Sequence, residues 1–187
     1  MAKNPDLQER LYQNVQEHAP STVERIGVEQ VGKMEYLAAF LQEVLRLYPP
    51  AGYIPRINRF KEILDGVEVP AGTRIGLAPH LLHRHPKYWD DPETFNPDRW
   101  INVSDKEAER RRFAYFPFGV GGRNCIGQYF ATLEAQMIVA AIARAFRVEI
   151  APSQKETEHT FSTRITMKSK PLLRLKVHER VAIRTKV

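Results

Sequence analysis

Phe116-Pro117-Phe118-Gly119-Val120-Gly121-Gly122-Arg123-Asn124-Cys125-Ile126-Gly127 is the stretch from which the fold is read. It holds the only cysteine of the 187 residues. Three glycines and one arginine lead into Cys125 and a fourth glycine follows; an apolar-periodic run then covers residues 128–146. The thiol is thus expected at the end of a glycine-rich loop, where a helix begins. First-turn N–H groups and the helix dipole favour an anion there. A thiolate so placed can serve as a nucleophile, a redox thiol or a metal ligand. A lone cysteine is ordinarily a small buried hydrophobe, but these neighbours argue for chemistry. The glycines let the backbone approach something flat or bulky. Arg123 offers a rigid fork of donors to a carboxylate. Phe118 lies seven residues before the sulfur and can pack beside it. A nucleophilic cysteine needs a base, and no histidine is close in sequence. Zinc needs several Cys or His ligands, and Cys125 has no cysteine companion.

Phe118, Gly121, Arg123, Cys125 and Gly127 match, position for position, the haem-binding signature of the haem-thiolate monooxygenases. On these residues the chain resembles the cytochrome P450 family. The resemblance implies that Cys125 is the proximal thiolate ligand of haem iron, with haem b (iron protoporphyrin IX) as cofactor. It implies that Arg123 pairs with a haem propionate. It also implies that Phe118, Gly119, Gly127 and Ala131 belong to the haem-binding set.

Composition sets wider bounds. A length of 187 residues suggests one domain with enough chain for a core. Hydrophobic residues make up 43% and charged residues 27%, as in ordinary globular chains. A single cysteine excludes an intramolecular disulfide and fits a reducing, intracellular compartment. No apolar run approaches a membrane span, and residues 1–6 show no signal-peptide core. The net charge of +6 is too dispersed to point to nucleic acid. Arg110, Arg111 and Arg112 form the densest run and read as a solvated face. Lying shortly before the cysteine loop, they are expected on the surface where an electron donor docks.

Along the chain, residues 7–18 read as a helix with Leu7, Leu11, Val15 and His18 near one face, followed by a break over residues 19–22. A second helix is predicted over residues 31–48, with Met34, Leu37, Leu41, Val44, Leu45 and Tyr48 as its apolar stripe. Pro49 and Pro50 end it. Glu43 and Arg46 lie off that stripe at i and i+3, where periodicity alone gives a surface ion pair. The family has a Glu-x-x-Arg pair here, and the resemblance implies a buried network instead. Residues 51–73 alternate and turn, with Asp65-Gly66 as the turn signal. By resemblance Ala51, Gly52, Tyr53, Ile54 and Pro55 face substrate, and Arg56 meets the second propionate. Residues 75–80 read as a strand entering a short helix. His80, His83 and His85 are a weak metal signal, and the family's His-Arg-x-Pro-x-x-Trp segment accounts for them as structural histidines. Residues 91–100 form a polar loop resembling the family's Phe-x-Pro-Glu-Arg-Phe motif, with Asp98 for Glu and Trp100 for Phe. Its Arg99 would join Glu43 and Arg46. Residues 127–146 are the helix behind the thiolate, with Phe130, Leu133, Met137 and Ala141 on one side. Residues 161–177 read as a terminal hairpin.

The resemblance implies a mainly α fold with a minor β part, residues 1–187 forming the C-terminal haem-binding portion of a single cytochrome P450 domain. The reaction implied is insertion of one oxygen atom from O2 into a small apolar organic substrate. Electrons would come from a flavoprotein reductase or a ferredoxin. Family members are longer and carry distal proton-delivery groups upstream. The chain is therefore expected to be a fragment, inactive alone, with membrane association only through an upstream anchor. The endoplasmic-reticulum membrane is the expected site of a full-length eukaryotic form. The alternatives are a non-catalytic or vestigial haem-binding protein, and a basic metal-assisted module built on His80, His83, His85 and the arginine run.

Overall fold

The computed structural model describes residues 1–20, 23–158, 160–163 and 166–180, without the side chains of 161–163. Ser21 and Thr22 of the predicted break therefore lie outside the described residues. The chain is mainly α with a minor β part.

Helix α1 (Pro5–His18) starts on a proline at its first position and carries Asp6 in its first turn and His18 in its last. Each suits the exposed N–H or C=O groups of its end. Leu11, Val15 and the following Ala19 have no exposed surface. Gln8, which the apolar pattern passed over, is also buried. Its side chain donates to the Val148 carbonyl at 3.0 Å and accepts the Val148 N–H, satisfying both backbone groups of a buried strand residue.

The predicted helix over residues 31–48 is two elements. A single turn, α2 (Val28–Val31), is capped by Gly32, and α3 (Glu35–Leu47) begins after Met34, whose φ of −86° and ψ of 77° interrupt the helix. Met34, Leu37 and Leu41 are buried as the stripe requires, but Tyr48 is exposed. Tyr36, Ala39, Phe40, Glu43, Arg46 and Leu47 are buried as well. The helix is thus enclosed on most of its circumference, and its apolar stripe marks only one of two buried faces.

The cysteine loop leads into α6 (Gln128–Ala145), after the short helices α4 (Pro79–Leu82) and α5 (Asp105–Arg111). Leu133 and Met137 pack against the core as predicted, while Phe130 and Ala141 are exposed. Ala140 and Ala143 are fully buried instead, within the cluster formed with Leu11, Val15 and Leu37. Small side chains let helix backbones approach closely, so the buried face follows alanines rather than bulk.

Among the described residues the strands form two-stranded antiparallel sheets. β1 (Ile54–Ile57) pairs with β4 (Arg74–Leu77), with Ile54 opposite Leu77. β2 (Glu62–Leu64) and β3 (Val67–Val69) form a hairpin. Its turn is Asp65-Gly66, both at positive φ, as hairpin turns demand. The predicted terminal hairpin is present but shorter than residues 161–177. β6 (Thr160–Thr163) pairs with β7 (Met167–Lys170), but β8 (Leu175–Glu179) returns to β5 (Phe146–Ile150), which leaves α6 directly. Alternation within residues 161–177 cannot say which distant strand edge the last segment meets.

Candidate functional site

Cys125 sits on a loop closed by its own backbone. The Cys125 N–H donates to the Phe118 carbonyl at 2.9 Å, Gly119 N–H to Phe116 at 3.0 Å, and Asn124 N–H to Gly121 at 3.1 Å. The path requires φ of +80° at Gly119 and +72° at Gly121, a region that disfavours any side chain. Gly121, Gly122 and Arg123 form a 3-10 turn, and Gly127 caps α6. Ala131, half-buried in the first turn, donates its N–H to the Gly127 carbonyl. The thiol of Cys125 is exposed, and so are Val120, Ile126, Tyr129 and Phe130 around it.

Strand β1 approaches this loop. Ile54 Cδ1 lies 3.8 Å from where a Cβ on Gly119 would stand. Of the segment 51–55, Gly52 is buried and Ala51 and Ile54 are half-buried. The exposed Tyr53 lays its ring on Gly76 of β4, where any Cβ would overlap it. Arg56 donates to the Pro55 carbonyl. Among the described residues neither Arg56 nor Arg123 forms an ion pair with a carboxylate.

Behind the loop, Glu43 and Arg46 are both fully buried. Arg46 grips the carboxylate with two bonds, Nε to Oε2 at 2.8 Å and Nη2 to Oε1 at 2.9 Å. Arg99 Nε and the Asn96 N–H also donate to Oε1, and the Trp100 indole N–H donates to Oε2 at 2.9 Å. The carboxylate therefore binds the polar loop 91–100 to α3. A phenylalanine at position 100 would lack the indole donor, so this departure from the family motif adds a hydrogen bond. Arg46 further donates to the carbonyls of His83, Pro92 and Thr94, and Arg99 to those of Asp90, Asp91 and Thr94. Trp89, with no exposed surface, lies under two guanidiniums, Arg46 at 5.2 Å and Arg111 at 5.3 Å from its ring.

The histidines separate. His80 is half-buried and His85 exposed. His83 is fully buried, with Nδ1 3.1 Å from the Arg46 carbonyl and Nε2 3.0 Å from the Phe116 N–H. A carbonyl only accepts and an N–H only donates, so Nδ1 carries the proton and Nε2 is the bare acceptor. Among the described residues no group of His, Cys, Asp and Glu is placed to hold a metal ion. The arginine run is likewise not one surface. Arg111 is buried and donates to the Arg99 carbonyl and to Glu107. Arg110 pairs with Asp90 and Arg112 with Glu109. An i,i+4 bond to Glu107 and cover from Trp89 draw Arg111 inward, which a run of like charge does not reveal.

Two buried groups make stability depend on pH. Burial pushes the Glu43 carboxyl up, but the bonds from Arg46, Asn96 and Trp100 outweigh it and hold it below 4.5. Burial pushes His83 down from 6.5 to about 4, with the charges of Arg46 and Arg84 adding to the effect and the Arg46 and Leu45 carbonyls opposing it. The unfolded chain thus binds protons more readily at both sites. Stability is full above 6.5 and falls through His83 between 6.5 and about 4, by about 3 kcal/mol. Glu43 adds a further loss below 4.5. Thermal melts across this range are expected to show Tm falling as pH drops, and a Tm flat from 6.5 to 4 would contradict the assignment.

A glycine loop thus presents one exposed cysteine and is tied through His83 to a buried Glu-x-x-Arg pair. The sequence model for Cytochrome P450 matches residues 1–175. The chain belongs to the cytochrome P450 family. It is 35% identical over 183 residues to Cytochrome P450 4p1 of Drosophila melanogaster, covering 96% of the chain and 34% of that protein. Cytochrome P450 4V2 of Mus musculus is 35% identical over 158 residues, 84% of the chain and 29% of the relative. Lithocholate 6-beta-hydroxylase of Mesocricetus auratus is 31% identical over 180 residues, 96% and 35%. The chain spans about a third of the length of these P450 relatives. No helix among its described residues is long and apolar enough to cross a membrane.

The residues fit the haem that the P450 family uses. The exposed sulfur is a soft donor suited to iron, Arg56 and Arg123 are cations without carboxylate partners among the described residues, and Ile126 and Phe130 offer exposed apolar surface. Sequence reasoning missed Gln8, Trp89, Arg111 and the linking role of His83. For Trp89 and His83 a signal existed in the His-Arg-x-Pro-x-x-Trp segment, but nothing in it named their partners.

Proposed function

We propose that this chain carries the thiolate side of a haem-thiolate monooxygenase, residues 1–187 forming part of one domain. The observation that supports it most is the exposed Cys125 on a self-bonded glycine loop in a chain of the P450 family. Thiolate-ligated haem iron supplies, when bound, activation of O2 and insertion of one oxygen atom into an organic substrate. In this reading Cys125 is the ligand, with haem b as the cofactor. Arg123 and Arg56 pair with the propionates, and Phe118, Gly119, Gly127 and Ala131 form the wall around the sulfur. Ala51, Gly52, Tyr53, Ile54 and Pro55 face a small apolar substrate across from the loop that Ile54 touches. A flavoprotein reductase or ferredoxin donates the electrons, and an endoplasmic-reticulum setting suits a eukaryotic form.

The test is spectroscopic. The haem-reconstituted, reduced chain under carbon monoxide is expected to show the far red-shifted thiolate band. Cys125→His is expected to abolish that band with haem still bound; a band that survives the substitution rules Cys125 out as ligand.

The 187 residues by themselves are proposed not to sustain turnover. Ile126, Tyr129, Phe130, Ile138 and Ile142 on and beside α6 are exposed, and contiguous apolar surface drives association. Sedimentation velocity is expected to show concentration-dependent self-association of the purified chain. A clean monomer that takes up haem stoichiometrically and hydroxylates a substrate would overturn this.

A further inference from the structure

His83 is the buried titratable group that the haem-thiolate reading leaves without a task. It sits between two parts of the site. On one side it is bonded reciprocally to Arg46, whose guanidinium donates to the His83 carbonyl at 2.8 Å while His83 Nδ1 donates to the Arg46 carbonyl at 3.1 Å. On the other, Nε2 accepts the Phe116 N–H at 3.0 Å. The Phe116 carbonyl in turn accepts the Gly119 N–H, and the Phe118 carbonyl, two residues on, accepts the Cys125 N–H and closes the loop. Phe116 is itself buried, and its ring meets the imidazole edge-on at 5.5 Å.

We propose that His83 is a positioning residue for Cys125, its neutral Nε2 coupling the start of the thiolate loop to the Glu43–Arg46 network. A proton added at Nε2 turns the acceptor into a donor facing the Phe116 N–H. The bond is then lost and two N–H groups oppose each other. Among the described residues no carboxylate acts on the ring to compensate. The groups facing the ring are the Arg46 guanidinium of α3, Arg84 on its own segment, and Tyr115, whose ring centroid is 5.2 Å away. Both cations disfavour the protonated ring, and burial holds the Tyr115 hydroxyl neutral. The loop is therefore coupled to α3 at neutral pH and released in acid.

The inference rests on Cys125 being the haem ligand, so the loop and the ligand are read separately. Amide hydrogen exchange on the 187-residue chain reads the loop at the Phe116 amide. Protection at Phe116 is expected to fall about tenfold or more as pH drops from 6.5 to about 4, since at least one buried hydrogen bond is lost. His83→Gln keeps an acceptor that cannot be protonated and is expected to remove that fall. His83→Phe keeps a ring without an acceptor and is expected to lose about tenfold protection at every pH. On the haem-reconstituted chain the carbon monoxide band is expected to change with the same pH dependence in the wild type and not in His83→Gln. Protection at Phe116 that does not change with pH in the wild type, or that is unaltered in His83→Phe, overturns the coupling. Exchange as expected with a pH-independent thiolate band overturns the positioning of Cys125. If the band survives Cys125→His, the ligand assignment fails instead.

Discussion

Glu43→Ala is expected to cost about 3–5 kcal/mol, because it leaves two guanidiniums buried without their anion. Arg46 has no exposed surface and Arg99 only 6% on its side chain. The change also removes the acceptor for the Asn96 N–H and the Trp100 indole. A small domain has roughly 5–15 kcal/mol in total, so the variant should sit near the threshold of folding. Arg46→Ala is expected to be as severe, since the carboxylate then loses its two-pronged donor and the carbonyls of His83, Pro92 and Thr94 lose theirs. Arg84→Ala is the control. Its pair with Glu93 leaves the carboxylate 73% exposed, and such pairs contribute about 0–1 kcal/mol. Urea denaturation of the three variants checks the ranking. Wild-type midpoints for Glu43→Ala and Arg46→Ala would show that the network does not hold the fold, and haem uptake in both should fall with stability.

Trp89→Ala is the second large effect, expected at about 3–5 kcal/mol from the cavity alone. The ring is fully buried, bonds the Leu82 carbonyl through its indole N–H at 3.1 Å, and sits 5.4 Å from the Trp100 ring. It also covers the guanidiniums of Arg46 and Arg111, so truncation admits water to the face of the Glu43 network. Trp89→Phe keeps a π-face over both cations and loses only volume and the indole donor. It should recover more than half of the Ala loss in a chemical melt; equal losses for Phe and Ala would mean that the cation contacts contribute nothing.

The pattern of polar and apolar residues reaches only part of this. The helix stripe through Met34, Leu37 and Leu41 was legible because the core faces that side of α3. The opposite side, carrying Glu43 and Arg46, is equally buried because the loop 91–100 folds over it, and periodicity has no access to a loop that arrives from distant sequence. Arg111 illustrates the reverse case. A run of three arginines reads as surface, yet the middle one turns inward because Trp89, Glu107 and the Arg99 carbonyl meet there.

By itself the sequence determined the glycine path to Cys125, the helix after it and the Asp65-Gly66 turn, all of which depend on local geometry and period, while the mainly α character followed from the family resemblance. The Phe118-to-Gly127 motif also carried the family. Only the tertiary structure decided that β8 returns to β5 rather than pairing within residues 161–177, that Ala140 and Ala143 rather than Phe130 face the core, and that His83 links Arg46 to Phe116. Each of those depends on which distant backbone donor or surface arrives, and residue spacing along the chain does not encode that arrival.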